Sequence, residues 1–540
     1  MNPTSRIFQR LLRLPAPRTR DVTVERDLRV PMRDGVVLLA DRWQPGSGGD
    51  GLPTALLRSP YGRTGMIANQ LARPLAERGY QVVVQSTRGT FGSGGDFDPL
   101  RRERDDGLDT LDWLSEQPWC GDGIVLFGGS YLGFVQWAVA DAVPPRVKAI
   151  IPSVSESAFT LEQLRTDGFS LEAPFGWGVQ VAGQEHPRSR LRQLLGAGKV
   201  RRAMESLPLN QADVTVLGRP SAYFQNVLDH DAEAAFWQPV DHSARVKDIA
   251  VPVSTVGGWY DIFLPGQLRD FQTLQKNGRR ARLTVGPWSH ISMGVGATAA
   301  EEALEFALPL ARGEEPAGRA DVRLYVMGEE KWRDFASWPP PGYEPKRLRL
   351  QPGGALSSEA SAPSTPDGYR YDPADPTPAV GGVRMAMGVK AGRVDNRRLE
   401  ARSDVLTYTT AELERDTEVI GEVSAEIWFC SSLPYADVFV RLCDVDTEGR
   451  STNVCDGLVG LTGADEITRA EVRLWATAYR FRRGHRIRVQ ISSGAFPRYN
   501  RNPGTGEPRA TAATLEAADQ LVFHDPDHPS TVILPVRAGE

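Results

Sequence analysis

Between Val22 and Val125, short apolar runs rich in β-branched residues alternate with helix-like segments: DVTVERDLRV, VVLLADRW, TALLR, YQVVVQ, then GLDTLDWLSEQ and IVLF. The first pair is joined by the turn sequence MRDG, which predicts an antiparallel hairpin. The later runs do not alternate and are separated by helical stretches, the pattern of strands buried on both faces of a parallel sheet. The same grammar returns after residue 245 in VPVSTVGGWYD, GQLRDFQTLQKNG and RLTVGPWSH, so the αβ unit is interrupted and then resumed. The intervening stretch holds helix-like segments such as SRLRQLLGAGKVRRAMESL, scattered aromatics (Trp177, Tyr223, Phe224, Trp237) and no strong buried strand. That composition suits a helical cap laid over one end of a sheet.

Beyond ARGEEPAGRAD the pattern becomes short strands separated by Pro and Gly, among them VRLYVMG, KRLRLQPGG, EVSAEIWFCSS, ADVFVRLCDVD and HRIRVQISS, which predicts an antiparallel jelly roll. The expected organisation is a basic extension (1–20), an αβ domain in two parts (21–154 and 244–312), a cap insertion (155–243) and a β-sandwich (313–540).

Charge narrows the function. The 540 residues carry 24% charged side chains and a net charge of −5, which gives no electrostatic reason to expect nucleic acid as a partner. Arg6, Arg10, Arg13, Arg18 and Arg20 precede the first acidic residue, Asp21, and Ile7, Leu11 and Leu14 fall at helical spacing. A terminal helix packed on its own protein is favoured there over a membrane-touching or targeting helix. No apolar run is long enough for a membrane span, and the chain reads as cytoplasmic. The cysteines Cys120, Cys430, Cys443 and Cys455 have neither a disulfide framework nor metal-site spacing and read as reduced thiols, with Cys443 and Cys455 flanking one hairpin. DVDTEGRSTNVC opens like a calcium loop but has Cys455 where a bidentate glutamate belongs, so a polar hairpin is expected. GTFGSGG matches neither nucleotide fingerprint and reads as a turn. No metal and no cofactor are expected, and a homo-oligomer is compatible with the sequence.

Ser130 lies in IVLFGGSYLGFVQWAVA, between an apolar strand and a helix. A helix cap, a turn filler and a nucleophile are all served by serine at such a place. Gly128, Gly129 and Gly133 supply the small neighbours that a sharp strand-to-helix elbow requires, although the glycine stands at +3, not +2. In open αβ sheets the reactive groups gather at the carboxyl ends of the strands, in the chain order Ser, Asp or Glu, His. Asp261 ends VPVSTVGGWYD and His290 ends RLTVGPWSH. The other six of the seven histidines (His186, His230, His242, His485, His524, His528) lie in or beside the insertion or in the β-rich part. A histidine beside a tryptophan is more often packed than catalytic; type, order and strand-end placement together favour the triad Ser130, Asp261 and His290.

With these residues in place, the whole chain resembles the cocaine esterase-like and X-prolyl dipeptidyl peptidase-like (CocE/NonD) serine hydrolases, which also include α-amino acid ester hydrolases and glutaryl acylases. GGSYLG, GGWYD and GPWSH look like the nucleophile, acid and base motifs, and GHRIRVQISSGAFPRYNRNPGTGE like a signature of the C-terminal jelly roll. The resemblance implies an α/β-hydrolase domain with a helical cap and a C-terminal jelly roll that helps to close the site. It also implies an oxyanion hole of the Tyr131 N–H and the Tyr61 phenol; Tyr61 follows TALLR, where this fold places its second donor. One departure stands out: Ser86 occupies a position where the family commonly has aspartate, and altered hydrogen bonding near Arg88 is expected.

The first expectation for function is a serine hydrolase for a small-molecule ester with a compact, bulky or aromatic acyl group. A peptidase or amide acylase would add a cap carboxylate for a substrate amine, with Asp167 and Glu172 as candidates. A carbohydrate-binding jelly roll carrying a silent hydrolase domain is the reading from another class.

Overall fold

The structure, a computed structural model, describes residues 3–158, 169–185, 189–231, 234–385 and 388–539. Ten strands build the first sheet: β1 (Val22–Pro31), β2 (Val37–Pro45), β3 (Thr54–Ser59), β4 (Gln81–Ser86), β5 (Ile124–Gly129), β6 (Val147–Ser153), β7 (Val253–Tyr260), β8 (Ala281–Ser289), β9 (Val322–Val326) and β10 (Lys331–Phe335). Their order is β1-β2-β4-β3-β5-β6-β7-β8-β9-β10. The MRDG turn joins β1 and β2 antiparallel, from Val22 opposite Pro45 to Pro31 opposite Val37. From β4 to β9 neighbouring strands run parallel.

The parallel strands read as unbroken apolar runs because both faces are covered. Ala55, Leu57, Val82, Val84, Val125 and Phe127 point to one side, where they meet Leu75, Phe306 and Leu308. Leu56, Val83, Ile124 and Leu126 point to the other and share a core with Leu111, Leu114, Phe271 and Leu274. One-residue alternation thus feeds two different cores.

The stretch VRLYVMG, expected to open the sandwich, instead lies parallel on β8 as β9, and β10 closes the edge antiparallel. Local pattern does not distinguish the two sheets. The free edge of β8 needs backbone partners, and β9 supplies them.

Between β6 and β7 the described residues form the helices Glu172–Gly183, Ser189–Ala203, Ala212–Leu217 and Ala222–Asp229, followed by short 3₁₀ turns. Phe175, Trp177, Phe224, Leu228 and Trp237 pack with Tyr131 and Phe134, so the cap shares its core with the helix that follows Ser130. No helix of the described residues is long and apolar enough to cross a membrane. The helix Pro3–Leu11 leads into Leu12 and Leu14, which are buried against Ala300.

The C-terminal jelly roll is all β. Its longest pairs are antiparallel: Thr417–Ser431 with Thr468–Phe481, and Tyr435–Val445 with Ser451–Thr462. The calcium-like stretch is the turn of the second pair, where Asp446 Oδ1 accepts from the N–H of Glu448 and Arg450. All four cysteines are free, and Leu442, not Cys443, stands opposite Cys455. The jelly roll reaches back to the cap, where Leu171 N donates to Arg498 O at 2.9 Å, Asn500 N to Phe169 O at 2.8 Å and Asn210 N to Ala510 O at 3.0 Å.

Candidate active site

The apolar strand β5 ends in two glycines, and Ser130 follows with φ 59° and ψ −125°. A side chain at positive φ costs on the order of 1–3 kcal/mol, so neighbouring structure must hold it. Two contacts do so. Ser130 N donates to Ser153 O at 2.9 Å. The buried Gln136 amide donates to Gly128 O at 3.1 Å and accepts from Ile151 N at 2.9 Å, tying the helix to β5 and β6. The glycine at +3 is explained by packing: a Cβ on Gly133 would stand 2.5 Å from Ser155 Cβ.

Asp261 follows β7, fully buried, and its Oδ1 accepts from Phe263 N at 2.9 Å. His290 follows β8. Its Nδ1 lies 2.6 Å from Asp261 Oδ2 and its Nε2 lies 2.9 Å from Ser130 Oγ. With a proton on Nδ1, Nε2 is left as an acceptor for the serine hydroxyl. The Phe263 ring stands edge-on to the imidazole at 5.4 Å. The three residues expected from strand-end position are therefore in one hydrogen-bonded line. Such a line can move the hydroxyl proton to imidazole while the carboxylate stabilises the imidazolium that forms.

Tyr131 is the first residue of the helix Tyr131–Trp137, and its N–H, like every first-turn amide, has no partner within its own helix. Its ring is fixed from behind. The phenol donates to Glu103 Oε1 at 2.6 Å and accepts from Leu100 N at 2.9 Å. Glu103 in turn pairs with the buried Arg58 at 2.9 Å. Burial raises the Glu103 carboxyl, and Arg58 and Tyr131 oppose that shift.

Tyr61 lies in the loop after β3, which the cap holds through a 2.8 Å hydrogen bond from Gln184 Nε2 to Pro60 O. Trp177 Nε1 donates to the Tyr61 hydroxyl at 2.9 Å. Burial pushes this phenol up to about 12, against smaller opposing effects of its hydrogen bonds to Trp177 and Ser130. It stays neutral at physiological pH, and with Trp177 donating to its oxygen its own proton is available to an acceptor. Trp177 also stacks on Tyr131, with centroids 6.0 Å apart. Tyr61, Ser130, Trp177, Tyr223, Phe263 and Met385 line much of a pocket of about 310 Å³.

Several side chains here were not legible as site residues. Trp177 reads in the sequence only as a cap aromatic, and neither Arg58 nor Glu103 carries a local signal. Glu172, a candidate for binding a substrate amine, is instead engaged by Arg384 at 2.7 and 2.5 Å. The other candidate, Asp167, and His186 lie outside the described residues. The remaining described histidines have partners elsewhere: His485 with Asp444, His524 with Asp367, His528 with Asp525, His230 with Phe236 and His242 with Arg245. Ser86 accepts from Arg63 at 3.2 Å, while Arg88 takes its carboxylates from Asp106 at 2.6 Å and Asp34 at 2.9 Å.

Comparison with known proteins gives matches over most of the chain. Residues 34–292 match the X-Pro dipeptidyl-peptidase (S15 family) model, and residues 317–533 match the X-Pro dipeptidyl-peptidase C-terminal non-catalytic domain. A cocaine esterase from Rhodococcus sp. (strain MB1 Bresler) is 36% identical, in an alignment that covers 95% of this chain and 98% of that protein. Among solved structures, an aminopeptidase from a marine sediment Thaumarchaeota archaeon superposes with a TM-score of 0.83 at 21% identity, over 97% of this chain and 98% of the other. An α-amino acid ester hydrolase superposes with a TM-score of 0.81 at 24% identity, again over 97% and 98%.

Proposed function

This chain belongs to the X-Pro dipeptidyl-peptidase (S15) family and is similar over most of its length to a cocaine esterase, and from that premise we propose how its residues hydrolyse a carboxylic ester. Ser130 is the nucleophile, His290 the base and Asp261 the group that orients it. The observation that carries this reading is the line Asp261–His290–Ser130, with contacts of 2.6 and 2.9 Å, ending on a serine held at positive φ.

In the first half-reaction Ser130 Oγ forms a bond to the acyl carbon as its proton passes to His290 Nε2. Charge develops on the former carbonyl oxygen, where the Tyr131 N–H and the Tyr61 O–H stabilise it. The C–O bond to the alcohol breaks as the alcohol takes the proton from Nε2. Water then attacks the acyl-enzyme by the same route, with His290 again the base.

The pocket favours an ester over a peptide N-terminus. The described residues that line it are aromatic, aliphatic or hydroxylic, with the thioether of Met385, and none is a carboxylate. Glu172, the described cap candidate for binding an amine, is already paired with Arg384. A compact acyl group with an aromatic or bulky body would meet Trp177, Tyr223 and Phe263 on the pocket wall.

The test is fluorophosphonate labelling with peptide mapping, run beside turnover of 4-nitrophenyl benzoate and an X-Pro 4-nitroanilide. Label on Ser130 and preference for the ester are expected. Label absent, as the carbohydrate-binding reading requires, or found on another residue, would overturn the assignment of the nucleophile. Preference for the anilide would overturn the choice of ester.

A further inference from the structure

Beside the nucleophile pocket lies a second cavity of about 370 Å³, and Ala173, Ile262 and Met385 wall both. Its other walls come from the cap and the jelly roll and include the charged side chains Glu172, Arg384 and Arg498, which belong to a wider ionic cluster. Glu172 pairs with Arg384, Asp456 pairs with Arg441 at 3.0 Å, and Arg498 also binds Asp456. All five side chains are buried.

Two features of this cluster are not explained by the fold. Three guanidinium groups face two carboxylates, so one positive charge in the described cluster has no carboxylate counterpart. In addition, Nη2 of Arg498, a residue 5% exposed that lines the cavity, has no hydrogen-bond partner among the described residues. Its guanidinium carbon lies over the rings of Trp475 and Tyr499, 5.2 and 4.8 Å from their centroids, and its Nη1 is taken by Asp456. What is left is an unused donor on a cationic side chain that lines a cavity adjoining the pocket of Ser130. A buried donor without an acceptor is costly, and an unbalanced buried charge more so, whereas an anionic acceptor entering the cavity satisfies both.

We propose that this cavity is a substrate subsite for a free carboxylate, with Arg498 as the residue that selects it. The proposal rests on the hydrolase reading above and narrows it: the preferred substrates are esters that carry a second, ionised carboxyl group at a distance from the scissile bond.

Two series of substrates test it on the wild-type protein. In one, 4-nitrophenyl half-esters of straight-chain dicarboxylic acids are compared with the same chains ending in a primary amide. In the other, benzoate esters of ω-hydroxy acids are compared with the corresponding amides. In at least one series kcat/KM for the carboxylate should exceed that for the amide by about 10-fold or more, the usual effect of a charge-assisted hydrogen bond. Arg498→Lys, which keeps the charge but loses the fork, should bring that ratio close to one. Ratios at or below one in both series, or a preference that survives in folded Arg498→Lys, would overturn the proposal. Calorimetry of the dicarboxylates against their diamides on wild-type protein reads the subsite independently of turnover and of whether the variant folds. Binding of the dicarboxylate alone supports the subsite; equal binding, or none, removes it. Absence of all ester turnover and of fluorophosphonate label would instead refute the hydrolase reading, and the calorimetric result would still decide the subsite.

Discussion

Replacing Tyr61 by phenylalanine removes one oxygen and tests the least conventional part of the proposed chemistry. The phenol is held by the indole N–H of Trp177 at 2.9 Å and is kept neutral by burial, which pushes it up to about 12. Its proton is thus aimed before substrate arrives, and its effect should grow as the carbonyl oxygen gains charge. Loss of a single oxyanion donor typically lowers kcat by about 10²- to 10³-fold, or ~2.7–4 kcal/mol, with little change in KM. The Tyr131 N–H remains, so turnover should stay measurable. A second effect has a different signature. The variant leaves the Trp177 N–H without its acceptor, which costs about 1–3 kcal/mol of stability if no other group replaces it. Kinetics should therefore be read well below the melting temperature, on several aryl esters. Trp177→Phe removes the orienting donor but keeps the phenol, and should lose only about 10-fold in kcat. If Tyr61→Phe kept kcat within about 3-fold of wild type on every ester while melting lower, Tyr61 would be a packing residue and the oxyanion assignment would be wrong.

Other expectations follow from the same geometry. Ser130→Ala and His290→Ala should each lower kcat by at least about 10⁴-fold without unfolding the protein, and the double variant should be no worse than either; multiplicative losses would argue against one hydrogen-bonded unit. Gly133→Ala places a Cβ 2.5 Å from Ser155 Cβ, so it should displace the elbow and cost about 1–3 kcal/mol along with activity; a variant with wild-type melting and turnover would show that the helix has room to move. Burial raises the Asp437 carboxyl to about 7 from 3.8, against an opposing hydrogen bond from Asn502. Its contribution is therefore present at low pH and lost as pH rises from about 4 through 7, at a cost of up to about 4 kcal/mol above that range. Asp437→Asn keeps an acceptor for Asn502 and should raise the melting temperature more at about pH 8 than at about pH 5; equal shifts at the two values would show that Asp437 is not ionising inside the fold.

The parts of the molecule that the sequence makes legible are those where chemistry or sterics act locally. The MRDG turn, the unalternating runs and the glycine-rich elbow each carry their own reason, and Asp261 and His290 are marked by standing at strand ends. What escapes has its cause elsewhere in the chain. VRLYVMG fits either sheet, and the open edge of β8 decides which. Trp177 acquires its hydrogen bond only because the cap folds over a loop 116 residues earlier in the chain. Glu172 is a candidate for binding an amine until Arg384, 212 residues later, claims it. Arg498 sits in a stretch singled out by its motif, yet its buried, half-used guanidinium depends on partners from other strands.

The backbone contact between Arg498 and the start of the helix Glu172–Gly183 also has a consequence for the order in which the enzyme comes into being. Synthesis runs from the N-terminus, and domains fold as they emerge. Ser130, Asp261 and His290, the proposed nucleophile, acid and base, are all translated by residue 290, so a nascent chain can assemble this hydrogen-bonded line while the ribosome is still at work. The helix that carries Trp177 and Glu172 must wait for the carbonyl of Arg498 before its first amides are satisfied. The proposed reactive line is thus encoded early, and the proposed carboxylate subsite is completed only with roughly the last tenth of the chain.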